Sequence, residues 1–412
     1  MSFIDNKIVV KFCIIIMTNL LCATNYLVAQ SLDSIQILRA RGELIRAKEA
    51  IDKYLLTNPK SAVAFFTKAE IYHDISKDPT YKSILADANS DAFSAINSAY
   101  STDKVFTNQY LVRQKYNILD EISASYIKDG IAKYNAGVET NRVKNFGSAL
   151  YVFKQTEKVI DFTNKLKNMG NLLDTNLLYY LTLSAIHSED ESTGILYAQK
   201  VADKGIIKKD SATSFEPIYQ WLVYTLRTNR QEDDLEKYAQ IANRNFPNSD
   251  YFLLVQIDWA RYLRNFDRII YLNNQLFTKG FNTKENHLNY LNDLFVATYT
   301  FKENTTAIQR YKSIFEAELA TCIKLYPTEL TSKLLAAKYY RNLAAESQTK
   351  CVQFKEEQDL ASFKNEKKIV LKNLKKSQEY LIQILNSNPS ETLIKEATEL
   401  KKSNQSYLRK SK

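Results

Sequence analysis

The chain is poor in the two residues that punctuate most folds, with 8 Gly and 6 Pro among 412 residues, against an average usage of roughly 7% and 5%. Open α/β sheets need glycine in their tight turns, and phosphate-binding loops need it where the backbone meets the ligand. No Gly is followed by Lys-Ser or Lys-Thr, no two glycines have dinucleotide-binding spacing, and no Gly-x-Ser-x-Gly elbow occurs. These absences exclude the common nucleotide-binding and hydrolase signatures. They leave a chain that is mostly helix with short connections.

Histidine, cysteine and tryptophan are also scarce. The three histidines are His73, His187 and His287. Glu70-x-x-His73 is half of a carboxylate-bridged di-iron motif, but no second Glu-x-x-His exists; it reads as an ordinary helix face. His187 is placed at the end of a helix, where a cation is favourable. No His-Glu-x-x-His occurs and no cysteine pair has metal-ligand spacing. Beyond the N-terminal segment only Cys322 and Cys351 occur, too few for a disulfide framework; they read as two separate buried thiols. The acidic runs Glu189-Asp190-Glu191 and Glu232-Asp233-Asp234 open helices, where negative charge suits the dipole. A sugar-cleaving enzyme would carry more than the 2 Trp present. No catalytic residue, metal or cofactor is expected.

What is present begins with an export pattern. Lys7 and Lys11 precede a short apolar stretch from Phe12 to Leu21, and Leu27-Val28-Ala29-Gln30 offers a small residue at a cleavage point. The apolar stretch falls short of the ~20 residues that span a bilayer. We expect a cleaved signal peptide over 1–29, and an exported protein that is periplasmic, outer-membrane-associated or secreted. Leu21 is too large for the position before a lipidated cysteine, so Cys22 is not expected to carry lipid. Net charge is +10; from Val352 to Lys412 there are 13 basic and 8 acidic residues, a net of +5. That excess reads as a solvated helix face.

After Ser31 apolar residues recur at helical spacing almost without interruption. The pattern predicts helix pairs at 31–40 with 43–57, 61–76 with 80–100, 106–137 with 144–168 and 174–188 with 190–204. It continues at 212–228 with 231–246, 249–264 with 265–278, 284–301 with 303–326 and 329–346 with 363–388, and ends on a helix at 391–407. No segment alternates as a strand would. Pairs recurring every 30–40 residues cannot bury their apolar stripes alone, so they must stack.

Four prolines set a register: Pro59, Pro247, Pro327 and Pro389 each follow one helix and precede the next. Around them the pattern resembles the tetratricopeptide repeat (TPR), a 34-residue helix pair with small and aromatic residues at fixed positions. Small residues fall at Ala47, Ala69, Ala242, Ala337 and Ser377, and bulky ones at Phe65, Tyr72, Tyr219, Leu222, Leu226, Tyr340, Leu381 and Ile384. Tyr126, Gly130, Phe146 to Leu150 and Phe153 fit a further unit. Small residues let helix backbones approach while aromatics fill the space beside them. Lys133, Asp129 and Lys333 depart from the pattern.

The resemblance implies an all-α, TPR-like right-handed α-solenoid of about eight antiparallel helix pairs plus a C-terminal capping helix, spanning 30–412 with sub-blocks at 30–205 and 206–412. It implies a non-enzymatic scaffold of the cell envelope or secretion pathway, holding a protein or peptide on its concave face. On the first helices of the pairs the register aligns Tyr224, Arg227, Asp258, Arg261, Tyr262, Lys338 and Arg341 as a partly basic, aromatic stripe, suited to an acidic peptide. Nucleic acid is not an expected partner of an exported protein; peripheral association with the envelope is. The alternative function is capture of glycans or other nutrients, read by Trp221 or Trp259, and less so an all-helical hydrolase.

Overall fold

In a computed structural model the described residues are 31–82, 85, 87–170, 174–300 and 305–410. The expected signal peptide and Cys22 lie outside them. The described residues form helices α1 Leu32–Ala40, α2 Leu44–Thr57, α3 Ala62–Lys77, α4 Pro79–Lys82, α5 Ala88–Thr102, α6 Lys104–Arg113, α7 Asn117–Thr140, α8 Val143–Leu166, α9 Thr175–His187 and α10 Glu191–Asp203. They continue as α11 Glu216–Thr228, α12 Glu232–Asn245, α13 Tyr251–Tyr262, α14 Phe266–Thr278, α15 Lys284–Thr300, α16 Thr305–Leu325, α17 Leu330–Glu356, α18 Leu360–Leu385 and α19 Glu391–Lys410. Among these residues there is no strand; Lys208 and Ser214 make one isolated bridge ahead of α11. None of the described helices is long and apolar enough to cross a membrane. The fold is all-α, and within each part of the chain helices that are neighbours in sequence pack against one another.

Starts and stops follow local chemistry. Ser61, Asp103, Asp190 and Asn265 accept backbone N–H groups at the starts of α3, α6, α10 and α14. Helix ends carry an unusual feature: Asn141, Asn168, Glu189, Arg230, Arg264, Gln358 and Asn388 all take positive φ just beyond a helix. That left-handed position usually belongs to glycine. Non-glycine residues fill it here, which is one reason the chain needs so little glycine.

The chain forms two compact units, up to Ile218 and from Tyr219 onward. In the first, Ile35, Ala47, Ile51, Ala64, Ile71 and Ile75 build a core among α1–α3, and Phe66, Ala69, Ile96, Leu119 and Val159 build another among α3, α5, α7 and α8. In the long pair α7 and α8, two glycines of α7 lie against aromatic rings of α8. A Cβ on Gly130 would lie 2.5 Å from the ring of Phe153, and one on Gly137 would lie 2.8 Å from the ring of Phe146. In the second unit Leu253, Ile257, Leu291, Phe315 and Tyr339 belong to a core spanning α13–α17. Leu334, Ala337, Leu381, Ile384 and Ala397 join α17, α18 and α19. The small positions Ala47, Ala69, Ala242, Ala337 and Ser377 are all fully buried.

Three helix expectations are corrected. The stretch 80–100 is a single turn, α4, followed by α5. The stretch 106–137 is two helices, because Lys115 and Tyr116 take φ of 52° and 62° and break the run. The helix expected over 329–346 runs on to Glu356 and packs along its whole length against α18. Cys322 and Cys351 are separate, buried, free thiols.

Candidate protein-interaction surface

In the second unit, α11, α13 and α15 are the first helices of consecutive pairs, and a charged row crosses them. Arg227 on α11 pairs with Asp258 on α13. Arg261 on α13 pairs with Asp293 on α15: its Nε donates to both carboxylate oxygens at 2.9 Å, and its terminal nitrogen lies 2.8 Å from Oδ2. Arg261 therefore forks onto a carboxylate of the next pair, whereas Arg227 meets Asp258 through one terminal nitrogen. Asp293 is buried and its carboxyl is held above the usual range by that burial, against the opposing pull of Arg261. The pairs fix the spacing of successive first helices.

Tyrosines stand on this row. Tyr224, one turn before Arg227, and Tyr262, next to Arg261, are each 54% exposed. Tyr262 stacks on Trp259 with centroids 5.0 Å apart, and the Arg230 guanidinium lies 5.3 Å from the Tyr262 ring centroid. The burial of Tyr251, with Tyr224 nearby, raises its phenol above the ordinary range. Trp259 Nε1 and Arg227 Nε have no hydrogen-bond partner among the described residues. Both of those atoms are buried, so what the row offers at its surface is two exposed tyrosines, Tyr262 held by Trp259 and Arg230, on a framework whose charges are already matched.

Five of the seven residues expected at the site are brought together here: Tyr224, Arg227, Asp258, Arg261 and Tyr262. Lys338 and Arg341, on α17, turn to the last helix instead. Lys338 Nζ lies 2.6 Å from Glu396, and Arg341 donates to Ser403 Oγ at 3.1 Å. The expected basic stripe is thus a charge-matched one. Asp293, which completes the second rung, was missed; it lies 35 residues after Asp258, and that interval was the available signal.

The first unit carries a cleft of about 940 Å³ lined by α3, α5, α7 and α8. Its walls include Ser76, Ser90, Ser125, Ser148, Tyr126 and Tyr151, with the Lys133–Asp129 ion pair at one side. Asn89 donates to Ser125 Oγ at 2.9 Å, and its carbonyl lies 3.3 Å from Nδ1 of His73. The Tyr126 hydroxyl is pushed up to about 12 by burial. The departures Asp129 and Lys133 from the repeat pattern therefore face a cleft, where apolar residues are not required.

The histidines depart from expectation. His73 is not on a plain face: it is buried, and its Nε2 lies 2.9 Å from Glu121 of α7. His187 does end α9, but its ring packs on Phe146 at 4.9 Å and burial lowers its pKa, which disfavours a cation there. His287 meets Glu318 and Cys322, a grouping the sequence signalled only by the i, i+4 spacing of Glu318 and Cys322.

No family model matches the chain and no curated protein matches it. Among solved structures it is similar to the TPR domain of P58(IPK), with 12% identity, 92% of this chain and 98% of that one covered, and a TM-score of 0.26. It is similar to Naa15/Naa10 bound to HypK-THB, with 11% identity, coverage of 89% and 57%, and a TM-score of 0.28. It is also similar to yeast Tom70, with 13% identity, coverage of 89% and 91%, and a TM-score of 0.25.

Proposed function

We propose that this protein is a non-enzymatic, exported scaffold of the cell envelope or secretion pathway that holds an extended segment of a partner protein along α11, α13 and α15. The observation that carries the reading is the pair of exposed tyrosines, Tyr224 and Tyr262, set on a row whose arginines are already locked by carboxylates. Aromatic side chains are the usual anchors of interfaces, and Tyr262, stacked on Trp259 in the free protein, loses little entropy on binding. Arginines matched within the chain do not demand a partner's carboxylates, so the favoured segment is mixed in polarity and rich in apolar or aromatic side chains. This replaces the acidic peptide anticipated from the sequence.

The test is crosslinking with mass spectrometry in the native cell, comparing wild type with a Tyr224→Ala, Tyr262→Ala double variant. Both side chains are largely exposed, so the fold survives their removal. A partner crosslinked in wild type and depleted at least tenfold in the variant supports the reading. An unchanged set of crosslinked proteins would reject it.

The cleft of the first unit favours a second reading, capture of a hydroxyl-rich ligand such as a glycan by its serines and by Tyr151, which is 59% exposed. Titration calorimetry with oligosaccharides on wild type and Tyr151→Ala distinguishes it: heat lost in the variant supports glycan capture, and no heat in either removes it.

A further inference from the structure

We propose that His287, Glu318 and Cys322 form a binding site for one divalent transition-metal ion, zinc being the best chemical match. The inference is independent of the partner row. His287 comes from the first turn of α15, and Glu318 and Cys322 lie one turn apart on one face of α16. One ligand atom from each residue lies within 4.8 Å of the other two. Nδ1 of His287 is 2.6 Å from Glu318 Oε1, and Cys322 Sγ is 3.7 Å from the same oxygen.

The distances and the donor set both fit. Tetrahedral zinc, with bonds of about 2.0–2.3 Å, holds its ligand atoms roughly 3.3–3.6 Å apart. The sulfur–oxygen separation, 3.7 Å, is within about 0.1 Å of that range. The nitrogen–oxygen separation opens by roughly 0.7 Å when the shared proton gives way to the ion, and a long Glu side chain supplies that freedom. Imidazole, carboxylate and thiolate are the ligands zinc favours, and the fourth position is left for water.

Burial strengthens the case. His287 and Cys322 are 5% and 0% exposed and sit beside an apolar core. Glu318 and an ionised Cys322 together carry two negative charges, which a dication cancels. Binding of the ion displaces the Cys322 thiol proton. The imidazole is held in place beforehand. Phe277 stacks on it at 4.4 Å and 14°, and the Thr283 hydroxyl accepts Asn286 N–H at 3.2 Å at the start of α15. A ligand fixed by packing gives a site its geometry.

The experiment titrates the purified full chain with Co²⁺ and then Zn²⁺ alone. One equivalent of Co²⁺ should give tetrahedral d–d bands and a sulfur-to-cobalt charge-transfer band, both bleached by Zn²⁺. Cys322→Ser should abolish the charge-transfer band while Cys351→Ser leaves it, and His287→Ala should weaken binding at least tenfold. Peptide-mapped alkylation in mild denaturant gives a readout that needs no variant: Zn²⁺ should protect Cys322 and not Cys351. Absence of a cobalt spectrum, a band that persists in folded Cys322→Ser, or equal alkylation of both cysteines with Zn²⁺ present would overturn the proposal.

Discussion

Gly130→Ala tests whether close approach of helices α7 and α8 specifies the long pair. In an ordinary helix interior this substitution stabilises by roughly 0.8–1 kcal/mol, because alanine loses less backbone entropy. At Gly130 the new methyl carbon would meet three atoms of the Phe153 ring at 2.5, 2.8 and 2.8 Å. Phe153 is fully buried and stacks on Tyr180 at 5.4 Å and 17°, so the ring has no solvent into which to swing. Overpacking of this kind costs about 1–3 kcal/mol, enough to outweigh the propensity gain. The expected net effect is a loss of roughly 0–2 kcal/mol, in place of the gain expected in an open helix. Gly147 on α8 is the internal control, since a Cβ there meets nothing closer than 3.9 Å. Gly147→Ala should therefore stabilise by about 0.5–1 kcal/mol. Hydrogen exchange read peptide by peptide over α7 and α8 gives local opening free energies, which suits a repeat array better than a single melting temperature. Phe153→Leu should recover part of the loss in a Gly130→Ala background. If Gly130→Ala protects α7 and α8 as well as Gly147→Ala does, the close-packing argument fails.

Three further outcomes follow from the same reasoning. Arg261→Ala strands Asp293 in a buried site; the arginine is a third exposed, so the expected loss is discounted to about 1–3 kcal/mol, and a double-mutant cycle with Asp293→Asn in urea should show strong coupling. His187 has a folded pKa below its ordinary 6.5, so the stability it contributes is present above pH 6.5 and is lost as pH falls through the folded value; denaturation across that range should show a shallower acid limb in His187→Phe. Ser377 Oγ donates to the Ala337 carbonyl at 2.7 Å and accepts from Asn404 at 2.8 Å, all buried, so Ser377→Ala should cost about 1–3 kcal/mol and free α19 to limited proteolysis ahead of α17.

Much of the fold was legible because its rules are local. Pro59, Pro247, Pro327 and Pro389 fall in connections between helices, and Ala69, Ala242 and Ala337 are buried where backbones approach. Periodicity and small-residue spacing carry that information in a single stretch of chain. The breaks that escaped notice lack it. Nothing in Gln114-Lys115-Tyr116-Asn117 resembles a turn, because the left-handed residues are lysine and tyrosine. The end of α17 escaped the apolar pattern because its last turns are mostly polar and exposed, with Ser347 and Cys351 the buried residues there.

The candidate site was legible to the depth of one helix. The register placed Arg227, Asp258 and Arg261 on equivalent faces, and the structure joins them across consecutive pairs. What the register could not supply was who neutralises whom. Asp293 answers Arg261, Glu396 answers Lys338, and both partners lie on other helices. The His287, Glu318 and Cys322 grouping was hidden for the same reason, since α15 and α16 meet only when the pair closes.

Site-specific photocrosslinking tests the central claim most directly. A photoreactive phenylalanine analogue placed at Tyr224, at Tyr262 or at the equally exposed Tyr271 of α14 reports which helix face meets a partner in the cell. Capture of one protein from positions 224 and 262, and not from 271, is the predicted result. Capture from 271 alone, or the same proteins from all three positions, would contradict the assignment of the binding surface to α11, α13 and α15.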